Sequence, residues 1–225
     1  MSIEAEWGVD LDPARSRASL ADRAYLALRD RLIMLDIAPG EPIHDDEVAA
    51  SLGMGRTPVR EALKRLEGDR LVECYPRRGT FASGLDLADL TDICEIRIHL
   101  EPVAARRAAT NAHRTTRDEL TALARQVMRE SEAADPSRFI HADLATSRAI
   151  YRAAGNRHLE DTLVRYANLT TRIACQFADR LSARDLSIPS LPSLLHSIAS
   201  GDADAAAQLA LARVRRFERA VSDAI

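Results

Sequence analysis

Residues 44–68 read His44-Asp45-Asp46-Glu47-Val48-Ala49-Ala50-Ser51-Leu52-Gly53-Met54-Gly55-Arg56-Thr57-Pro58-Val59-Arg60-Glu61-Ala62-Leu63-Lys64-Arg65-Leu66-Glu67-Gly68, and a short basic hairpin follows to Ser83. The stretch predicts two short amphipathic helices joined by a glycine turn. The first spans roughly Asp45 to Leu52. Val48, Ala49 and Leu52 give it an inward face, and three acids in its first turn suit the helix dipole. Gly53 fits a left-handed C-cap. Thr57 reads as the N-cap of the second helix and Pro58 as its first residue. That helix runs to about Gly68. Val59, Ala62, Leu63 and Leu66 recur at i, i+3, i+4 and i+7, so they face a core.

Another face carries Arg60 and Lys64, one turn apart, with Arg56 and Thr57 at the helix start. A helix fits the major groove of DNA, which is about 12 Å wide, and arginine can chelate O6 and N7 of guanine there. Threonine, lysine and a helix N-terminus suit phosphate. Leu71–Tyr75 and Thr80–Ser83 read as short strands around Pro76-Arg77-Arg78-Gly79, with Gly79 free to take a positive φ. Arg77 and Arg78 at that tip suit a backbone or minor-groove contact. A preceding helix, Leu20 to Leu35, carries Tyr25, Leu28, Leu32 and Leu35 on one stripe and stops before Ala38-Pro39-Gly40. Together these elements predict a winged helix-turn-helix for residues 19–84.

This segment resembles the DNA-binding domain of the GntR family of bacterial transcription regulators. The resemblance rests on Ala38-Pro39-Gly40-Glu41, Glu47-Val48-Ala49, Leu52-Gly53, Arg56-Thr57-Pro58-Val59-Arg60-Glu61-Ala62-Leu63, Leu66-Glu67, Leu71-Val72 and Arg78-Gly79. It implies that Arg56, Thr57 and Arg60 touch DNA, with Arg77, Arg78 and Gly79 in the wing.

From Leu85 onward the chain predicts helices only, at roughly 87–110, 116–133, 136–154, 157–182, 190–200 and 202–222. Asp86, Thr115, Asp135 and Asn156 are expected caps, and Gly155 and Gly201 expected breaks. Ile93, Ile96, Leu100, Val103 and Ala104 form one apolar stripe; Leu163, Tyr166, Leu169, Ile173 and Phe177 form another. The expected fold of 85–225 is an all-α antiparallel bundle, so the whole chain is mainly α. The short join at Gly84-Leu85-Asp86 suits transmission of movement between the two domains. Residues 1–18, with Trp7 (the only tryptophan), lack periodicity and read as a loose tail.

The bundle resembles the FCD type of ligand-binding domain of the FadR subfamily. The matching residues are Glu95-Ile96-Arg97-Ile98-His99-Leu100-Glu101, Ala104-Ala105, Asp143, Ala153-Ala154-Gly155-Asn156 and Ile198 to Ala206. The resemblance implies a small-molecule effector, such as a carboxylate, and a homodimer. Many such domains hold a divalent metal on one Asp and three His. Counted by position, those ligands here read Asp143, Ser147, Leu191 and Arg213. Leucine and arginine offer no donor that zinc or nickel accepts, so no metal cofactor is expected. His141 and His196 lie nearby but off the face. The expected metal-free pocket uses Arg213, paired with Asp143 or with an anionic effector, beside Arg97, Arg172 and Ser147. The competing readings are a solvated Arg213 within Arg213-Val214-Arg215-Arg216, and an intrahelical pair of Arg97 with Glu101.

Composition sets bounds. The 225 residues hold 31 basic and 34 acidic side chains, for a net charge of −3. Residues 20–84 alone carry 10 basic and 11 acidic side chains, so DNA affinity has to come from a local patch and from dimerisation. Cys74, Cys94 and Cys175 are widely spaced and read as reduced thiols of a cytoplasmic protein without a membrane span. No Ser-His-Asp order, phosphate loop or metal motif points to an enzyme. The expectation is a regulator of double-stranded DNA, more often a repressor; the alternative is a regulator whose bundle only dimerises.

Overall fold

Ser19 opens the first helix, α1 (Leu20–Ile33), with a reciprocal cap: its hydroxyl accepts from the Asp22 amide, and the Asp22 carboxylate accepts from the Ser19 amide, both at 3.1 Å. The computed structural model describes residues 19–130, 136–182, 185–186 and 188–225. They divide into two units that part between Asp86 and Leu87. The tail with Trp7, and the expected cap Asp135, lie outside the described residues.

In the first unit α1 is followed by β1 (Pro42–Ile43), α2 (Asp45–Leu52), α3 (Arg56–Gly68), β2 (Val72–Tyr75) and β3 (Gly79–Ala82). The sheet order is β1-β3-β2, all antiparallel, with Pro42 opposite Phe81 and Cys74 opposite Thr80. β1 is two residues long, too short to leave a periodic signal, and it was not expected. α1 packs on α3. Leu28, Leu32, Val59, Ala62 and Leu66 have no exposed surface, and Leu63 keeps 5%. The apolar positions of α3 therefore seat it as its periodicity predicts. α1 ends at Ile33, before Leu35, which takes a left-handed φ of 63°.

Gly53 closes α2 in the left-handed conformation, φ 62°. The N-cap of α3 is Gly55, and not Thr57 as expected. Gly55 adopts the extended cap conformation (φ −76°, ψ 167°), so the helix begins at Arg56. Pro58 is then the third helical residue. It fits there because the first four amides of a helix have no intrahelical acceptor. At the hairpin tip Gly79 has φ 100°, and Arg77 is also left-handed, at 64°.

The second unit is all helical: α4 (Ala88–Asn111), α5 (Arg114–Glu130), α6 (Pro136–Ala153), α7 (Arg157–Gln176), α8 (Leu191–Ser200) and α9 (Ala203–Ala224), with 3₁₀ turns at Ala178–Arg180 and Ile188–Ser190. α4 packs along α9, α5 against α8, and α6 against α7. Asn156 caps α7 and Asp202 caps α9 through their side chains, while Gly155 and Gly201 take positive φ. Two expected caps are displaced. α4 starts at Ala88 behind Leu87, so Asp86 stands one residue too early; α5 starts at Arg114, which places Thr115 inside the helix. α7 stops at Gln176, short of the expected 182.

The first apolar stripe also needs correction. Ile93 and Ala104 are buried, but Ile96 and Val103 are 40% and 47% exposed. The buried face of α4 is rotated from them and runs through Leu90, Cys94, Arg97, Glu101, Ala105 and Ala108. At one end of the bundle the Arg117 guanidinium donates to the carbonyls of Ala109, Ala112 and Ala199, and so closes the last turns of α4 and α8.

Leu66→Ala tests whether the core seats α3. Loss of this fully buried side chain is expected to cost about 2–5 kcal/mol. Far-UV circular dichroism should show an earlier urea transition. An unchanged transition would mean that α3 is held by something else.

Candidate functional site

Two clusters of functional side chains were expected, and the structure describes both. The first lies on the exposed side of α3. Arg56, Thr57, Arg60, Lys64, Arg77, Arg78 and Gly79 are all exposed. Thr57, Arg60, Lys64, Cys74, Gly79 and Thr80 line one open groove between α3 and the hairpin, of about 750 Å³. The Gly55 cap brings no side chain to the first turn of α3, so the amides of that turn stay available to an anion. The Arg78 guanidinium lies 5.5 Å from the Tyr75 ring centre.

Asp45, at the start of α2, was not expected in this set. One of its carboxylate oxygens accepts from Nη2 of Arg56 at 2.9 Å, and the other from Nε of Arg60 at 2.5 Å. Hydrogen bonds from Arg56 and then Arg60 hold the Asp45 carboxyl below its ordinary range. Neither arginine pairs with a glutamate of its own helix among the described ion pairs.

The second cluster is buried in the bundle. Glu101 on α4 is its centre. Oε1 accepts from Nε and Nη2 of Arg97, at 2.8 and 2.6 Å, and from the Tyr151 hydroxyl at 2.8 Å; Oε2 accepts from Nη2 of Arg213 at 2.9 Å. Arg213 also donates to Asp143 at 2.6 Å and to the Ser147 hydroxyl at 2.9 Å. Arg97 reaches α7 through the Thr170 hydroxyl at 2.7 Å and lies over the Phe217 ring. Arg97, Glu101, Ser147, Tyr151 and Arg213 are each less than 5% exposed. The solvated reading of Arg213 is therefore overturned: Arg215 and Arg216 face solvent, and Arg213 does not.

Burial alone would push Glu101 up, but Arg97 and Arg213 more than offset it and hold the carboxyl below its ordinary value. Burial likewise disfavours the charged forms of both arginines, and Asp143 and Glu101 reverse that for Arg213. Burial, with the Glu101 charge beside it, raises Tyr151, so the phenol stays protonated and donates.

Asp143 and Ser147, which only the resemblance grouped with Arg213, both meet it. Arg97 takes its intrahelical partner, Glu101. Arg172 is buried on α7 two residues beyond Thr170, so it leaves the helix on another side. Glu101 and Tyr151 were missed. Glu101 was visible as the i+4 partner of Arg97 and within the block that carries the resemblance, but not as a site residue, and no local pattern marks Tyr151.

The positions that align with metal ligands do not fit a divalent ion. The Arg213 guanidinium already binds Asp143, Ser147 contributes one hydroxyl, and Leu191 is a buried hydrocarbon. Among the described residues no three His, Cys, Asp or Glu side chains converge, and His196 is exposed on α8. Nε of Arg213 is one of several buried side-chain nitrogens and oxygens that have no hydrogen-bond partner among the described residues.

Residues 20–82 match the family described as bacterial regulatory proteins, gntR family, and residues 92–216 match the FCD domain. A regulator of the helix-turn-helix type from Agrobacterium vitis is 40% identical over 94 residues, which are 42% of this chain and 55% of that protein. A probable D-xylose utilization operon transcriptional repressor of Paenarthrobacter nicotinovorans is 34% identical over 137 residues, 59% of this chain and 60% of its own. These matches span less than two thirds of the relatives' length. The solved structure of Escherichia coli McbR/YncC shares the fold, with a TM-score of 0.79 at 21% identity over 92% of this chain and 98% of that one.

Glu101→Gln tests the buried cluster. It leaves two guanidiniums with one carboxylate, and breaking such a buried pair costs about 3–5 kcal/mol. The sign of the pH effect follows from the lowered Glu101 value: its contribution is complete above the unfolded carboxyl range of about 4.3 and is lost as pH falls toward the folded value. Acid titration of the wild type should show this loss, and Glu101→Gln should lack most of it. Equal acid sensitivity in the two proteins would contradict the assignment.

Proposed function

The chain belongs to the GntR family of bacterial regulators and carries an FCD domain, and on that ground we propose that it binds a palindromic operator as a homodimer. It is a DNA-binding transcription regulator and no enzyme. In the proposed complex α3 enters the major groove, with Arg60 and Arg56 on base edges and Thr57 and Lys64 on phosphate. Arg77, Arg78 and Gly79 of the hairpin touch the backbone alongside. Repression is the proposed outcome, in keeping with relatives named as repressors. A cytoplasmic location follows from this role; among the described residues no helix is long and apolar enough to cross a membrane.

Dimerisation is proposed through α4. Ile96, half-buried Leu100 and Val103 recur at i, i+4 and i+7 on a face that the bundle leaves open. Two readers on one palindrome supply the affinity that a near-neutral domain does not reach through general attraction.

The effector is proposed to be a small anion bound in the bundle without a metal. The observation that carries this is the Nε–H of the buried Arg213 guanidinium, a donor without an acceptor on a cation whose other nitrogens are held by Glu101 and Asp143. An effector carboxylate supplies that acceptor. By linkage, the effector then changes DNA affinity by the same factor by which DNA changes effector affinity. The second reading, a bundle that only dimerises, draws on the balance of Arg97 and Arg213 against Glu101 and Asp143.

A band shift with the promoter of the protein's own gene tests the DNA reading. Arg60→Ala should weaken specific binding by about 1–3 kcal/mol, roughly 5- to 150-fold. Ile96→Glu with Val103→Glu should leave a monomer in sedimentation and weaken the same shift. Wild-type binding by both variants would refute the proposal. A thermal-shift screen of small carboxylates, repeated on Arg213→Lys, separates the two readings of the bundle: no stabilising compound favours the second.

A further inference from the structure

We infer that Asp45 is a positioning residue that sets the sequence selectivity of the reader helix by holding Arg56 and Arg60 on its two carboxylate oxygens. The inference rests on the proposed reading of these arginines as DNA contacts. Arg56 and Arg60 are one helical turn apart, so they leave α3 on the same face. Their side chains are 56% and 66% exposed, and α3 itself offers them no described ion-pair partner. Such side chains sample many rotamers unless something fixes them. Asp45 does so from the neighbouring helix, with its own side chain only 20% exposed.

The geometry of the pairs is selective about what stays free. A guanidinium has five N–H donors in a planar fork. Asp45 uses Nε of Arg60, which leaves both terminal nitrogens of Arg60 for the paired acceptors O6 and N7 of guanine. On Arg56 it uses Nη2, which leaves Nη1 and Nε. The carboxylate also carries a negative charge at the base of the arginine pair. A phosphate oxygen approaching the pair meets that charge, whereas the edge of a guanine is neutral. Asp45 therefore favours base contacts over backbone contacts by the same two residues.

Asp46 provides an internal control. It lies beside Asp45 in the first turn of α2, is exposed, and has the same charge, but makes no described ion pair with either arginine. A general effect of charge, or of the helix dipole, would act through both aspartates.

The test compares binding to two duplexes by fluorescence anisotropy: one enriched by the wild-type protein from a random-sequence pool, and one of shuffled sequence. In Asp45→Asn the ratio of the two affinities should fall about tenfold, through a weaker grip on the enriched duplex and a tighter one on the shuffled duplex. Asp45→Glu should restore most of the ratio. Asp46→Asn should move both affinities together and keep the ratio. Thermal melting of each variant confirms that it is folded. A wild-type ratio in Asp45→Asn, or an equal loss in Asp46→Asn, would overturn the inference. Arg60→Ala separates the levels: if it weakens binding to the enriched duplex while Asp45→Asn changes nothing, only the role of Asp45 fails. If Arg60→Ala binds like wild type, the DNA reading beneath it fails as well.

Discussion

Arg213 is a charge that the bundle cannot leave alone. A guanidinium 4% exposed is unfavourable unless its partners neutralise it, and Glu101 and Asp143 do so from α4 and α6. Glu101 in turn binds Arg97, and Arg97 reaches α7. Four helices, α4, α6, α7 and α9, are therefore joined by a single connected set of ion pairs and hydrogen bonds. The set also specifies register. Sliding α4, α6 or α9 by a turn would break a buried ion pair of Arg213, at a cost of about 3–5 kcal/mol.

The reader unit applies the same chemistry under the opposite condition. Its arginines are exposed, so solvent screens the ion pairs to Asp45 and they add little to stability. What they fix is direction. α3 is seated by Val59, Ala62, Leu63 and Leu66 on one side, and Asp45 orients the charges on the other. The core decides where the helix lies, and the acid decides where its reading groups point.

Much of this was legible in the sequence, for identifiable reasons. The inward face of α3 and the Gly53 turn follow from local periodicity and local backbone demands, and both are encoded within a few residues. The helix start was read two residues late, because Thr57-Pro58 looks like a cap and Gly55 does the capping without a side chain. Ile96 and Val103 were read as core because their hydrophobicity says nothing about which apolar face the bundle uses. The buried cluster was half legible. Positional comparison brought Asp143, Ser147 and Arg213 together, but Glu101 and Tyr151 join through contacts of 112 and 50 residues' separation, which no local pattern records.

Arg213 stands at a position that the resemblance to FCD domains assigns to a metal ligand, and we propose that its guanidinium takes the place of an ion there. Metal analysis of the full chain, purified without chelator from cells grown with added zinc and nickel, tests it most directly. The expected result is a metal content far below one ion per chain and the same thermal midpoint before and after chelator. One tightly held ion per chain, lost with a fall in the midpoint on chelation, would contradict it.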